Sequence, residues 1–218
     1  MATYWHIHEI GAFLDQWQTL IGSLIGGLLG LFAAWIVAHR VERRMDVSAA
    51  MHLVAKSVAF RTAMNQLRRI SRETTFTSPE EEAQWMAERL VWRRPKLSQV
   101  FDEARLRIMP IEPNAAAHLE FLHFHYLDIE EKLERIARDM KTLQETRGIR
   151  RAEHHTIADA VSATGAFVFA AEHAICAEHL LTHHVLSRWA WLNRMRPRFW
   201  LHPDTKRSYE MLTNPEAD

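Results

Sequence analysis

The chain has 218 residues, and its 27 basic and 27 acidic side chains cancel to a formal net charge of +0. This balance argues against a partner bound by overall charge, so we expect no nucleic-acid partner and no acidic substrate. The single cysteine, Cys176, rules out an intramolecular disulfide framework and suits a reducing compartment. The length fits one domain of ordinary size together with a membrane anchor and a short tail.

Residues 1–16 mix aromatic and aliphatic side chains with histidines and contain no lysine or arginine. The pattern is typical of a short amphipathic segment that lies outside the cell membrane, at its surface. A disordered tail is the alternative.

Residues 17–38 form an apolar stretch without a charged side chain, and it has the ~20 residues that a helix needs to cross a bilayer core. Trp17 and Trp35 lie near its ends, where aromatic side chains favour the membrane interface. We therefore predict one uncleaved transmembrane helix, with a buried helix of a soluble protein as the alternative.

A stripe of small residues recurs along this predicted helix. Such a stripe lets two helix backbones approach closely, which predicts a homo-oligomer paired through the anchor. Glycines that a membrane helix merely tolerates are the alternative. The stripe comprises Gly22, Gly26 and Gly30, with Ser23 and Gly27 beside it.

Three arginines, Arg40, Arg43 and Arg44, follow the apolar stretch directly. By the positive-inside rule they place the N-terminus outside and the C-terminal part in the cytoplasm of a bacterial-type inner membrane. The same arginines are candidates for binding anionic lipid headgroups. A purely topological role on a solvated face is the alternative.

The rest of the chain has an all-α pattern, because glycine is scarce, no segment alternates like a strand, and good helix formers dominate. We predict a helical stalk at 39–73, a connector of short helices at 74–113, a long antiparallel coiled-coil-like hairpin at 114–196, and a loosely ordered tail at 197–218. Caps and prolines predict short helices at 79–94 and 99–107 and long helices at 114–148 and 150–195.

The first helix of the predicted hairpin carries apolar residues spaced three and four apart, which indicates an unbroken heptad seam. The second helix carries a complementary seam of mostly alanine. Because the predicted turn at Gly148 is short, the two helices should be antiparallel. The heptad seam comprises Leu119, Leu122, Tyr126, Ile129, Leu133, Ile136, Met140 and Leu143.

Catalytic signatures such as a Walker loop, GxGxxG, HExxH, paired CxxC or GxSxG do not occur in the sequence, so we lean towards a non-enzymatic protein. The 14 histidines are the unusual feature. In the predicted hairpin, a Zn²⁺ or other transition-metal site would draw on His118, His123, His173 and Glu178. Ordinary buried or solvated histidines, with no cofactor, are the alternative.

Residues 188–200 mix arginines with large aromatic side chains. This mixture is compatible with stacking on nucleic acid, with a membrane surface, or with packing against the short helices. Together these patterns favour a single-pass, membrane-anchored helical bundle that acts as an oligomerisation, scaffold or partner-docking module. The alternative is a membrane-tethered bundle that binds a metal or uses one in catalysis.

Overall fold

The structure is a computed structural model that describes residues 2–145, 154–187, 195 and 202–213. These residues are helical or lie in short connections, and none of them forms a strand, which confirms the all-α class. The described elements are α1 (Ala2–Glu73), α2 (Pro79–Arg93), α3 (Gln99–Ile108), α4 (Pro113–Glu145), α5 (His154–Leu181), a π-helix (Thr182–Leu186) and α6 (Pro203–Thr213).

The chain divides into two units, residues 1–45 and residues 46–218. The first unit consists of the beginning of α1. Its described side chains are exposed except for Ile36, which is half-buried. The apolar window of α1 is 0 % buried, and its length and composition are those of a possible membrane span.

The second unit has an apolar core, and residues 46–73 of α1 contribute one helix face to it. Positions three and four apart turn inward, as expected for a helix with a single buried stripe. The buried positions on this face are Ala50, Leu53, Ser57, Phe60, Met64, Leu67 and Ser71.

Aromatic side chains join three helices at the centre of this core. The ring of Phe60 on α1 lies 5.8 Å from that of Phe167 on α5 and 6.1 Å from that of Tyr126 on α4, the second pair edge to face. Full burial of a phenylalanine contributes about 1.5–3 kcal/mol. The stretch predicted as a stalk is therefore, from residue 46 onward, a core element of the second unit.

Polar contacts between α4 and α5 join late residues of the first with early residues of the second. Arg135 donates from Nε to Asp159 at 2.9 Å, and Lys132 donates to the Ser162 hydroxyl at 2.7 Å. The predicted turn at Gly148 lies outside the described residues.

Helix α2 begins where its predicted cap places it. Ser78 accepts from the Glu81 backbone N–H at 3.2 Å, and Pro79 occupies the first helical position of α2. The Thr164 hydroxyl connects α5 with α2, because its single proton can be shared between the carbonyl oxygens of Ala160 at 2.7 Å and Ala83 at 3.2 Å.

The C-terminal part differs from the prediction in two places. The fourth long helix was expected to reach residue 195, but its α-helical part ends at Leu181 and a π-helix carries it only to Leu186, after which Ser187 is extended. The tail was expected to be loosely ordered, but residues 203–213 form α6, which packs on α5 with Thr205 and Ser208 buried.

Candidate functional site

The residues predicted for helix packing and lipid binding lie on exposed surface of the first unit. The stripe residues and Arg40, Arg43 and Arg44 are all exposed. A Cβ atom added at Gly22, Gly26, Gly27 or Gly30 would meet nothing within 4 Å. Among the residues that the structure describes, no contact therefore requires these glycines to be small.

The predicted heptad seam lies inside the second unit. Six of its eight residues are buried, Met140 is partly buried, and the side chain of Leu143 lies outside the described part of the chain. The buried six are Leu119, Leu122, Tyr126, Ile129, Leu133 and Ile136.

The four residues predicted as metal ligands lie in three different surroundings. His118 and His173 contact each other through their Nδ1 atoms, 2.8 Å apart. His123 lies 2.8 Å from a carboxylate oxygen of Asp102 on α3. Glu178 pairs at 3.2 Å with Arg61 of α1.

Hydrogen bonding determines the tautomers of the His118–His173 pair. His118 Nε2 lies 3.0 Å from the Ser208 carbonyl oxygen, which only accepts, so the His118 proton is on Nε2. Burial lowers the pKa of His118 to about 4 and, with its histidine neighbours, that of His173 to about 4, so both rings are neutral at pH 7. His173 Nδ1 therefore donates to His118 Nδ1. The pair is a satisfied structural contact that fastens α4 to α5 and α6.

A second group of histidines lies beside a cavity of about 280 Å³, which is lined by residues of α1, α5, the π-helix and α6. The cavity wall includes Glu172, Cys176, His179, His183 and Asp204. Cys176 is buried, its Sγ atom lies 3.4 Å from Sδ of Met211, and burial raises the pKa of its thiol. The thiol therefore stays protonated at pH 7 and is no nucleophile there.

His179 is the central ring of this second group. Its ring centroid lies 4.5 Å from that of His183 and 5.4 Å from that of His202. Burial, aided by His183, lowers the pKa of His179 to about 4, so the ring is neutral at pH 7. Its Nε2 atom lies 2.7 Å from the hydroxyl of Thr205, and its Nδ1 atom lies 4.0 Å from Oδ2 of Asp204.

The π-helix directs two consecutive histidines to different surroundings. His184 is 3 % exposed and its Nδ1 atom lies 3.0 Å from Oε2 of the buried Glu112, the residue before α4. His183 is exposed and lies at the cavity. Wider turns of this kind are frequent at functional sites.

The prediction of a loose tail did not use a helix-start signal in the sequence beside His202 and Asp204. Pro203 is the first residue of α6, and Asp204 is an acidic residue in its first turn. A proline at the first helical position followed by an acid is a helix-start pattern. The aromatic and arginine-rich stretch at 188–200 lies outside the described residues except for Met195.

No protein-family model, curated protein or solved structure matches this chain.

Proposed function

We propose that the protein is a single-pass membrane protein whose helical bundle serves as an oligomerisation or partner-docking module at the cytoplasmic face of a bacterial-type inner membrane. The observation that carries this proposal is the apolar window of α1, which is 0 % buried, whereas that of α5 is 61 % buried. Large uncovered apolar surfaces are rare on soluble monomers. A bilayer would cover this one.

The orientation rests on the arginines that follow the apolar stretch. Positively charged residues next to a membrane helix remain on the cytoplasmic side, so the N-terminus would be outside and residues 46–218 inside. The arginines are exposed and available to anionic headgroups, each contributing about 1 kcal/mol near such a surface.

Cysteine labelling in intact cells tests the orientation. In a Cys176→Ser background, we expect a membrane-impermeant thiol reagent to label Thr3→Cys in intact cells and Asp218→Cys only after lysis. The opposite pattern would show that the orientation is reversed.

Self-association through the anchor is supported by the open surface around the glycines. Larger side chains on the stripe would separate two paired backbones. Gly26→Ile with Gly30→Ile should therefore reduce the crosslinked dimer in native membranes. Leu24→Ile with Leu28→Ile is the matched control, because two residues rotate an α-helix by about 200° and place these changes on the opposite face. Equal crosslinking in all three proteins would exclude this stripe as the contact.

Docking through the bundle is supported by an exposed aromatic surface on α4 and α5, which we infer to be an antiparallel, coiled-coil-like hairpin. Phe124 is 66 % exposed and Phe169 is 47 % exposed. The ring of His125 connects the two helices, because its centroid lies 5.6 Å from that of Phe124 and 5.9 Å from that of Phe169. Exposed apolar patches of this kind mark interaction sites.

Crosslinking in native membranes followed by mass spectrometry tests this surface. Phe124→Ser with Phe169→Ser should remove crosslinked partners and leave the thermal unfolding of the bundle unchanged. Leu106→Ser with Val161→Ser alters two other exposed apolar residues and is the control. Loss of the same crosslinks in the control would place the contact elsewhere.

A further inference from the structure

We propose that His179, His202 and Asp204 form a Zn²⁺ site that connects α5 to the start of α6. This site is distinct from the predicted set of His118, His123, His173 and Glu178, and it does not depend on the anchoring proposed above. One ligand atom from each of the three residues lies within 4.8 Å of the other two.

The distances fit a four-coordinate metal. Zn²⁺ binds nitrogen and oxygen at about 2.0–2.2 Å in a tetrahedron, which places neighbouring ligand atoms about 3.3 Å apart. Oδ2 of Asp204 lies 3.3 Å from Nδ1 of His202 and 4.0 Å from Nδ1 of His179. Small rotations of the exposed side chains of His202 and Asp204 would bring these distances to the tetrahedral spacing.

Two contacts hold the ring of His202 beside Asp204. The Asp204 backbone N–H donates a long hydrogen bond of 3.4 Å to Nδ1 of His202, and Oδ2 of Asp204 lies 3.3 Å from the same nitrogen. A metal ion bound to Nδ1 would replace this long hydrogen bond, because the nitrogen has one in-plane lone pair.

A buried hydroxyl orients the third ligand. Thr205 is 2 % exposed, and its Oγ1 atom lies 2.7 Å from Nε2 of His179. When the hydroxyl accepts the Nε2 proton, Nδ1 has no proton and is directed towards Asp204. Metal-binding histidines commonly donate their second ring nitrogen to such a partner, which determines the tautomer and ring orientation.

The chemistry of the donors selects the metal class. Two imidazoles and one carboxylate suit Zn²⁺, whereas Mg²⁺ and Ca²⁺ prefer oxygen ligands alone. Three protein ligands leave a fourth position for water or for a further ligand, as in zinc sites that act on substrates. His179 and Asp204 both line the cavity, so a bound metal would lie at its wall.

Calorimetric titration of Zn²⁺ into the full chain tests the site. The protein is purified in detergent without a histidine tag and dialysed against a chelator. We expect about one equivalent of Zn²⁺ to bind, together with a rise in the melting temperature, and no saturable binding of Mg²⁺. His202→Ala and Asp204→Asn, both at exposed positions, remove ligands themselves and should weaken binding by more than the about 10–100-fold typical for the loss of a ligand's hydrogen-bond partner.

Two further variants separate this site from general binding to histidines. Thr205→Val retains the shape of the side chain but removes the acceptor, and it should weaken binding by about 10–100-fold. His39→Ala removes an exposed histidine of the first unit, outside the site, and should leave the affinity unchanged. Absence of saturable binding in the parent, or unchanged stoichiometry and affinity in a His202→Ala Asp204→Asn double variant, would overturn the proposal.

Discussion

Residues 17–38 of α1 and the helix α5 are both long and apolar, yet only the second is part of a core. The window of α5 is 61 % buried and that of α1 is 0 % buried. Along its inner face α5 carries mostly alanine, and Ala160, Ala163 and Ala170 are all 0 % exposed. The large side chains of α1, such as Leu31 at 70 %, are exposed instead.

The difference shows that hydropathy alone does not distinguish a core helix from a membrane span. Alanines let α2 and α4 approach α5 closely, and the bulky seam of α4 fills the space between them. The large apolar side chains of residues 17–38 are exposed and no charged residue interrupts them, which is the pattern of a segment whose solvent is lipid. Buried positions of the second unit and exposed apolar positions should therefore respond differently to charge, truncation and acid.

The largest expected effect is that of a charge inside the core. Ala170→Asp would bury a carboxylate without a partner, a change that costs several kcal/mol and should unfold the second unit. Val161→Asp introduces the same group on the same helix at a position that is 46 % exposed, and it should be tolerated. Circular dichroism during heating in detergent measures both. Equal melting temperatures would show that α5 is not a core helix.

The next effect is that of truncating the seam. Ile129 is 1 % exposed, and Ile129→Ala should reduce the free energy of unfolding by about 2–5 kcal/mol because it leaves a cavity. Leu127 lies on the same helix but is 53 % exposed, so Leu127→Ala should change it by about 0.5 kcal/mol or less. Denaturant titration compares the two. A near-zero effect of Ile129→Ala would mean that the seam is not packed in solution.

Acid should lower the stability of the second unit gradually and leave the apolar stretch at 17–38 unaffected. The pKa values of His118 and His173 are about 4 in the folded chain, against 6.5 for a free side chain. Between these values the unfolded chain binds more protons, so the stability of the second unit should fall from pH 6.5 towards pH 4, by at most ~1.4 kcal/mol per pH unit for each ring.

The apolar stretch at 17–38 contains no titratable side chain, so retention in the membrane should not change over the same pH range. Denaturant titrations at several pH values measure the first effect, and membrane pelleting measures the second. A His173→Gln variant should show a shallower pH dependence than the parent. An unchanged dependence would mean that this pair does not control the response.

Local signals explain which parts of the fold could be predicted. The start of α2 follows from Ser78 and Pro79, and the inner face of α4 follows from its heptad spacing, because both depend on neighbours in the chain. The end of α5 does not follow from any such local signal. Residues 166–196 contain no proline or glycine, so no local signal predicts a π-helix or the extended Ser187.

The candidate site depends on contacts between distant residues, and those were predicted less well. A turn centred on Gly148 places His123 level with His173, whereas the observed partner of His173 is His118, a difference of about one turn. Nothing in the spacing of the histidines shows that Ser208 would accept from His118 or that α6 would bring His202 to His179. The buried residues of α6 are Thr205 and Ser208, two small polar residues that apolar spacing does not identify.

The most direct test of the membrane proposal is alkaline carbonate extraction of membranes from cells that express the full chain. We predict that the parent stays in the membrane pellet. Leu24→Arg with Leu28→Arg should move the protein to the soluble fraction, because each arginine near the middle of a membrane helix costs about 2.5–3.5 kcal/mol on insertion. Extraction of the parent protein into the soluble fraction would contradict the account.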